Sequence, residues 1–244
     1  MDDLGFLLLQ IEWGADEALD NTPVDRLRPA APALVRPPPR PVVVEPALGS
    51  PVEIAIRAAA GAGNLAALKT AIAAFEHCTL RDMATNLVFA EGDPESGLLF
   101  VGGAPGADED RSGTPFAGRE GALLDAMLAS VGLTRATILL TPLIPWRPPG
   151  GRVPTPGEIL LCRPFLMRLI ALTRPTRIVA FGALAAGALL GPARRARTVG
   201  WIDATIDGQP AQVLVMPGLA ELLKTPARRK DAWAGIRALR RALD

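Results

Sequence analysis

The stretch LLFVGGAPGADEDRSGTPFAGREGALLDAML, residues 98–128, reads as a buried strand, a Gly/Pro-rich loop and an amphipathic helix. Leu98–Val101 is a short apolar run with turn residues on both sides, which suits a central strand. Gly102, Gly103, Pro105 and Gly106 force a tight turn and let a ligand approach the backbone. Asp108, Glu109 and Asp110 place three carboxylates just past that turn, and Phe116 lies between Pro115 and Ala117-Gly118. Leu123, Leu124, Met127, Leu128 and Val131 recur at helical spacing and are expected to pack on the strand. GGAPG is neither GxGxxG nor a Walker A sequence, and no Lys-Ser/Thr follows it. Three neighbouring acids would also repel a phosphate, so a nucleotide-phosphate loop is set aside.

Outward from this block, strands alternate with helices, the pattern of an α/β fold. Thr137–Thr141 reads as a second strand, and Thr155-Pro156-Gly157-Glu158 as a capping box opening a helix over Pro156–Leu172. A third strand is expected over Arg177–Phe181, followed by a short helix over Ala183–Leu190. Arg197–Trp201 and Thr205–Val215 read as a hairpin-like pair with Asp207-Gly208 at the turn, Val213–Met216 being the fourth main strand. A last helix, Arg228–Leu243, carries Trp233 and a basic face. Upstream, the Ala-rich segment Pro51–Phe75 fits one helix, breakable at Gly61 and Gly63 with Asn64 as a fresh cap.

The 244 residues are 49% hydrophobic, enough for one packed core of about 170–190 residues plus a tail. Residues 1–20 fit a short helix. Eight prolines between positions 22 and 50 read as a linker with polyproline character, either a spacer or an arm for a protein partner. The expected division is therefore 1–50 for helix and linker and 51–244 for the domain. No apolar run approaches the roughly 18 residues of a membrane span. The N-terminus opens on Asp2 and Asp3, unlike a signal peptide. Two distant cysteines make no disulfide framework, and a cytoplasmic location is expected.

Charge is uneven. Residues 1–141 carry ten Lys/Arg against nineteen Asp/Glu, whereas residues 142–244 carry sixteen against six. A second half near +10 attracts phosphate backbones, although solvated helix faces in an Arg-rich chain would look the same.

The block GGAPGADED…GTPFAG…GALLDAML resembles the first active-site motif of the type 4 uracil-DNA glycosylases. There the strand runs into Gly-Glu-Ala-Pro-Gly, an acidic pair and Gly-x-Pro-Phe-x-Gly. Three further segments resemble that family in order. CTLRDMATNLVF, residues 78–89, matches a lead-in of cysteine, leucine and a short Val-Phe strand. TPLIPWRPPGGRVP, residues 141–154, matches Thr-Asn, two apolar residues, Lys-Cys-Arg-Pro-Pro and Asn-Arg-x-Pro. MPGLAELLKTP, residues 216–226, matches a His-Pro-Ser-Tyr-Leu-Leu-Arg-x-Pro loop. The likeness covers about residues 72–243.

The resemblance implies a three-layer α/β/α sandwich on a parallel four-stranded sheet, and DNA as the partner. It implies hydrolysis of the N-glycosidic bond of a flipped deoxyuridine. In that chemistry an aromatic ring stacks on the base and an amide reads its edge. A carboxylate positions water, and a histidine stabilises charge on the uracil oxygen. By position, the base pocket would comprise Gly103, Ala104, Glu109, Phe116, Pro142 and Met216, with Gly218 as the alternative to Met216. Phe116 keeps the stacking role, and Glu109 occupies the family's acidic loop position. Gly103 stands where the family has glutamate, Pro142 where it has asparagine, and Met216 or Gly218 where it has histidine.

These departures imply uracil hydrolysis weakened or lost in a DNA-binding protein of base-excision repair. A non-enzymatic interaction protein that keeps only the fold is the alternative. Glu109 and Glu221 are the remaining candidate catalytic acids; Asp108, Asp110 and Glu221 otherwise read as solvated surface acids. Arg147, Arg152 and Lys224 are the expected phosphate contacts. The family's 4Fe–4S cluster needs four thiolates. Only Cys78 and Cys162 remain at matching positions, with Phe75 and Trp146 at the others. The two cysteines therefore read as buried small hydrophobes and no cofactor is expected.

Overall fold

In a computed structural model of the chain, the structure describes residues 49–191 and 200–243. The expected helix of residues 1–20, nearly all of the proline-rich linker, and Arg197 lie outside the described residues. Ser50 caps α1 (Pro51–Ala60), and Asn64 caps α2 (Leu65–Ala73), so the Ala-rich segment is two helices, not one. The short α3 (Leu80–Met83) follows.

The sheet is built from β1 (Glu91–Gly92), β2 (Leu98–Gly102), β3 (Leu139–Pro142), β4 (Arg177–Phe181), β5 (Trp201–Ile206) and β6 (Gln209–Met216). Their order is β1-β3-β2-β4-β6-β5. The four central strands are parallel, as expected, and an antiparallel strand covers each edge. The connecting helices are α4 (Ala107–Ser112), α5 (Gly118–Ala129), α6 (Pro156–Thr173), α7 (Gly182–Leu190), α8 (Leu219–Lys224) and α9 (Arg229–Leu243).

Strand alternation sorts the layers. Leu139, Leu99, Ile178 and Val213 lie side by side across the central strands and face α1, α2, α6 and α7. Their neighbours Leu140, Phe100, Val179 and Leu214 form the row on the opposite face, against α5, α8 and α9. Both rows are buried because a parallel sheet is covered on both faces. The molecule is thus the expected three-layer sandwich.

Three boundaries differ from the sequence reading. Val88–Phe89 is not a strand: Val88 N–H donates to the Pro145 carbonyl, and the ladder at this edge begins at Glu91. The second strand starts two residues later than expected, because Arg135–Thr137 closes into a 3₁₀ turn. The hairpin's first strand is Trp201–Ile206, with Asp207 and Gly208 both at positive φ in the turn. Paired positive φ values match the right-handed twist of the flanking strands. Among the described residues no helix is long and apolar enough to cross a membrane.

Candidate base pocket and thiol pair

The chain leaves β2 toward β3 on one side and leaves β4 toward β6 on the other. Such a reversal opens a crevice beyond the carboxyl ends of the strands, the usual ligand position in α/β sheets. Here the crevice is walled by glycines. A Cβ on Gly103 would stand 3.7 Å from Leu184 Cδ1, and a Cβ on Gly182 would stand 3.5 Å from Gly218 Cα. The β3 loop closes a third side: Leu143 N–H donates to the Gly102 carbonyl at 3.0 Å and Ile144 N–H to that of Gly103 at 3.2 Å.

Phe116 covers the end of β2. Its ring lies so close that a Cβ on Gly102 would be 3.0 Å from its Cζ, and it meets Phe181 edge-on at 5.8 Å. Its φ of 53° is an uncommon conformation for a bulky residue, held only where the surroundings over-determine it. Two clamps do so. Glu109 accepts from Phe116 N–H through one carboxyl oxygen and from Gly106 N–H through the other, each at 2.6 Å. Arg135 donates to the Pro115 carbonyl at 3.0 Å and the Phe116 carbonyl at 2.5 Å, while also pairing with Asp125 and Glu91. Burial pushes the Glu109 pKa up against the pull of both amides.

Glu109, expected in the loop, lies in the first turn of α4, and both of its oxygens are committed to backbone. Asp110 is a correction: it is buried, not solvated, and accepts from Thr85 and Asn86 N–H at 2.8 and 3.2 Å. Asp108 pairs with Arg111. The acidic triplet therefore ties the loop together instead of presenting free carboxylates to a ligand. Arg135, the second clamp, leaves no local sequence signal, because it acts across nineteen residues.

Gly103, Ala104 and Gly218 are partly exposed around the crevice, whereas Pro142 is buried at the end of β3. The Met216 side chain lies in the core under α9, where a Cβ on Gly235 would stand 3.1 Å from its Cε. Glu221 is on α8 and pairs with Arg228 at 3.0 Å.

Of the expected phosphate contacts, Lys224 is exposed at the end of α8. Arg147 is half-buried, 4.0 Å from Asp110. Arg152 is engaged in a two-pronged pair with the buried Glu158, with bonds of 2.9 and 2.5 Å. That fork, with help from Thr155, holds the Glu158 pKa down to about 2 despite burial. A depressed carboxyl contributes stability above its unfolded value near 4.5, and the contribution is lost as pH falls toward the folded value. With Arg152 partly exposed, about 2 kcal/mol is at stake. The stability gap between the unmodified chain and Glu158→Gln, followed by urea unfolding, is expected to close between pH 5 and pH 2. A gap that does not change with pH would contradict this.

Phe75, Cys78, Trp146 and Cys162, the positions matched to the cluster ligands, are all buried in one core cluster. Phe75 packs edge-on against Phe165 at 5.3 Å. Cys162 is the chief influence that lowers the Cys78 pKa to about 7, while Cys78 and burial raise that of Cys162. Two thiols, a phenyl ring and an indole do not make the donor set of a four-iron cluster. His77 meets Phe75 edge-on at 5.6 Å, and among the described residues no three His, Cys, Asp or Glu side chains gather as metal ligands.

A model of the uracil DNA glycosylase superfamily matches residues 89–239. The chain is 34% identical over 162 residues to a type-4 uracil-DNA glycosylase of Pyrobaculum aerophilum, covering 64% of this chain and 83% of that protein. The type-4 enzyme of Archaeoglobus fulgidus is 44% identical over 109 residues, 45% of this chain and 55% of the relative. That of Thermotoga maritima is 41% identical over 108 residues, 44% and 56% respectively.

Proposed function

From the premise that the chain belongs to the uracil-DNA glycosylase superfamily as a type 4-like member, we propose that it is a DNA-binding protein of base-excision repair whose uracil hydrolysis is weak or lost. The observation that carries this reading is the chemistry of three positions around the crevice. Gly103, Pro142 and Gly218 have no side chain that can ionise, donate or accept, and the alternative Met216 is buried. Proline also lacks a backbone N–H. Losing one base or one donor commonly slows such reactions by roughly 10²–10⁴-fold. The fold, the stacking ring and a basic second half are retained, and these are the parts that binding needs.

Salt-dependent binding to an oligonucleotide tests the DNA half of the proposal. Each phosphate contact removed flattens the slope of log K against log salt by about 0.7–0.9. Lys224→Ala is expected to flatten it by about that much, and Arg152→Ala by less, because Arg152 already faces Glu158. An unchanged slope in the double variant would count against this placement.

A second reading, an interaction protein retaining only the fold, is favoured by one feature. An apolar cleft of about 280 Å³ opens between α5, α8 and α9, lined by Leu123, Met127, Leu222, Leu223, Trp233 and Ile236. Trp233 is 55% exposed there. Absence of both excision and DNA binding would put this reading first.

A further inference from the structure

We propose that Cys78 and Cys162 form a reversible disulfide, a dithiol couple standing where the related enzymes' cluster would be ligated. The inference rests on three observations and does not depend on DNA binding. The chain holds two cysteines in all. Both are 1% exposed within the same core cluster. The elements that carry them are packed together, with Phe75, three residues before Cys78, edge-on to Phe165, three residues after Cys162. The disulfide forms where side-chain rotation brings the two sulfurs to a bond of about 2 Å.

Burial decides which oxidant can act. A cavity of about 20 Å³ has Cys162 in its wall beside Val88, Phe89 and Phe165. That is room for roughly one water-sized molecule, so hydrogen peroxide is the fitting oxidant and a glutathione-sized disulfide is not. One thiol, as thiolate, attacks a peroxide oxygen; the O–O bond breaks and the leaving hydroxide takes up the proton as water. The resulting sulfenic acid is attacked by the second sulfur, its S–O bond breaks, and a second water leaves. Two thiols and one peroxide thus become one disulfide and two waters. A dithiol reductant reverses the couple by exchange once unfolding exposes the bond. The link joins the segment between α2 and α3 to α6, closing the chain from position 78 to 162. A loop of that length restricts the unfolded chain strongly.

The test is peroxide treatment of the full chain, followed by intact mass and an unreduced peptide map. The expected result is a loss of about 2 Da, a cross-linked peptide holding Cys78 and Cys162, a higher urea midpoint, and full reversal by reductant in urea. The cross-link is expected to be absent in Cys78→Ser and in Cys162→Ser. Three results would overturn the proposal. The first is sulfinic or sulfonic acid on either cysteine without a cross-link. The second is no reaction in the folded chain at peroxide concentrations that oxidise the urea-unfolded chain. The third is iron and inorganic sulfide bound to both cysteines in protein purified without air.

Discussion

Gly103→Glu combined with Gly218→His is expected to raise uracil excision by roughly 10²–10⁴-fold over the unmodified chain. The backbone is ready for both side chains. Neither position has the positive φ that would penalise a Cβ. A Cβ on Gly103 would meet Leu184 at 3.7 Å, and one on Gly218 would meet Gly182 at 3.8 Å, both ordinary contacts. The carboxylate would stand at the turn after β2 and the imidazole at the start of α8, across the crevice from each other. Pro142 would still deny the base its amide partner, so the gain should fall short of a complete site, and the two effects should not simply multiply. Gly103→Gln with Gly218→His tests the carboxylate itself and is expected to show little of the gain. A folded double variant that excises no faster than its parent would mean that the missing groups do not limit this protein.

The second large effect is on stability. Glu109→Ala is expected to lower the free energy of unfolding by about 3 kcal/mol, since two charge-assisted bonds are lost and two amides are left unpaired. Glu109 holds Gly106 and Phe116 together, so its removal also frees the ring packed on the end of β2. Glu109→Gln keeps one acceptor oxygen and should cost less. The pH dependence runs opposite to that of Glu158. Burial holds the folded pKa of Glu109 above its unfolded value. The protonation-linked part of its contribution is therefore full below the unfolded value and declines as pH rises through the folded one, while the bonds to the two amides persist. Urea unfolding at several pH values measures both. A loss under about 0.5 kcal/mol, the scale of an ordinary surface change, would show that the clasp does not hold the loop.

Much of the fold was legible in the sequence because its signals are local. The apolar run Leu98–Val101, the glycines after it, the Asn64 cap and the Thr155–Glu158 box each declare an element within a few residues. The two-row burial of the central strands follows from parallel strands covered on both faces. Where the reading slipped, the deciding contact was distant. Val88 is claimed by the Pro145 carbonyl. Asp110 is drawn inward by the amides of Thr85 and Asn86, about twenty-five positions away. Arg135 reaches Phe116 across nineteen. The crevice residues could be named from the resemblance, but not the use to which Glu109 and Arg152 are put. A carboxylate clasping two amides and an arginine locked to a buried glutamate look, in sequence, like any other charged residues.

Uracil release from single- and double-stranded DNA by the unmodified chain, assayed beside the Pyrobaculum aerophilum relative, tests the central claim most directly. An eroded crevice predicts excision at least roughly 10²-fold slower than that relative's, with salt-sensitive binding to the same oligonucleotides. Excision at a comparable rate, abolished by Phe116→Ala and by Glu221→Ala, would contradict it and place the working acid on α8.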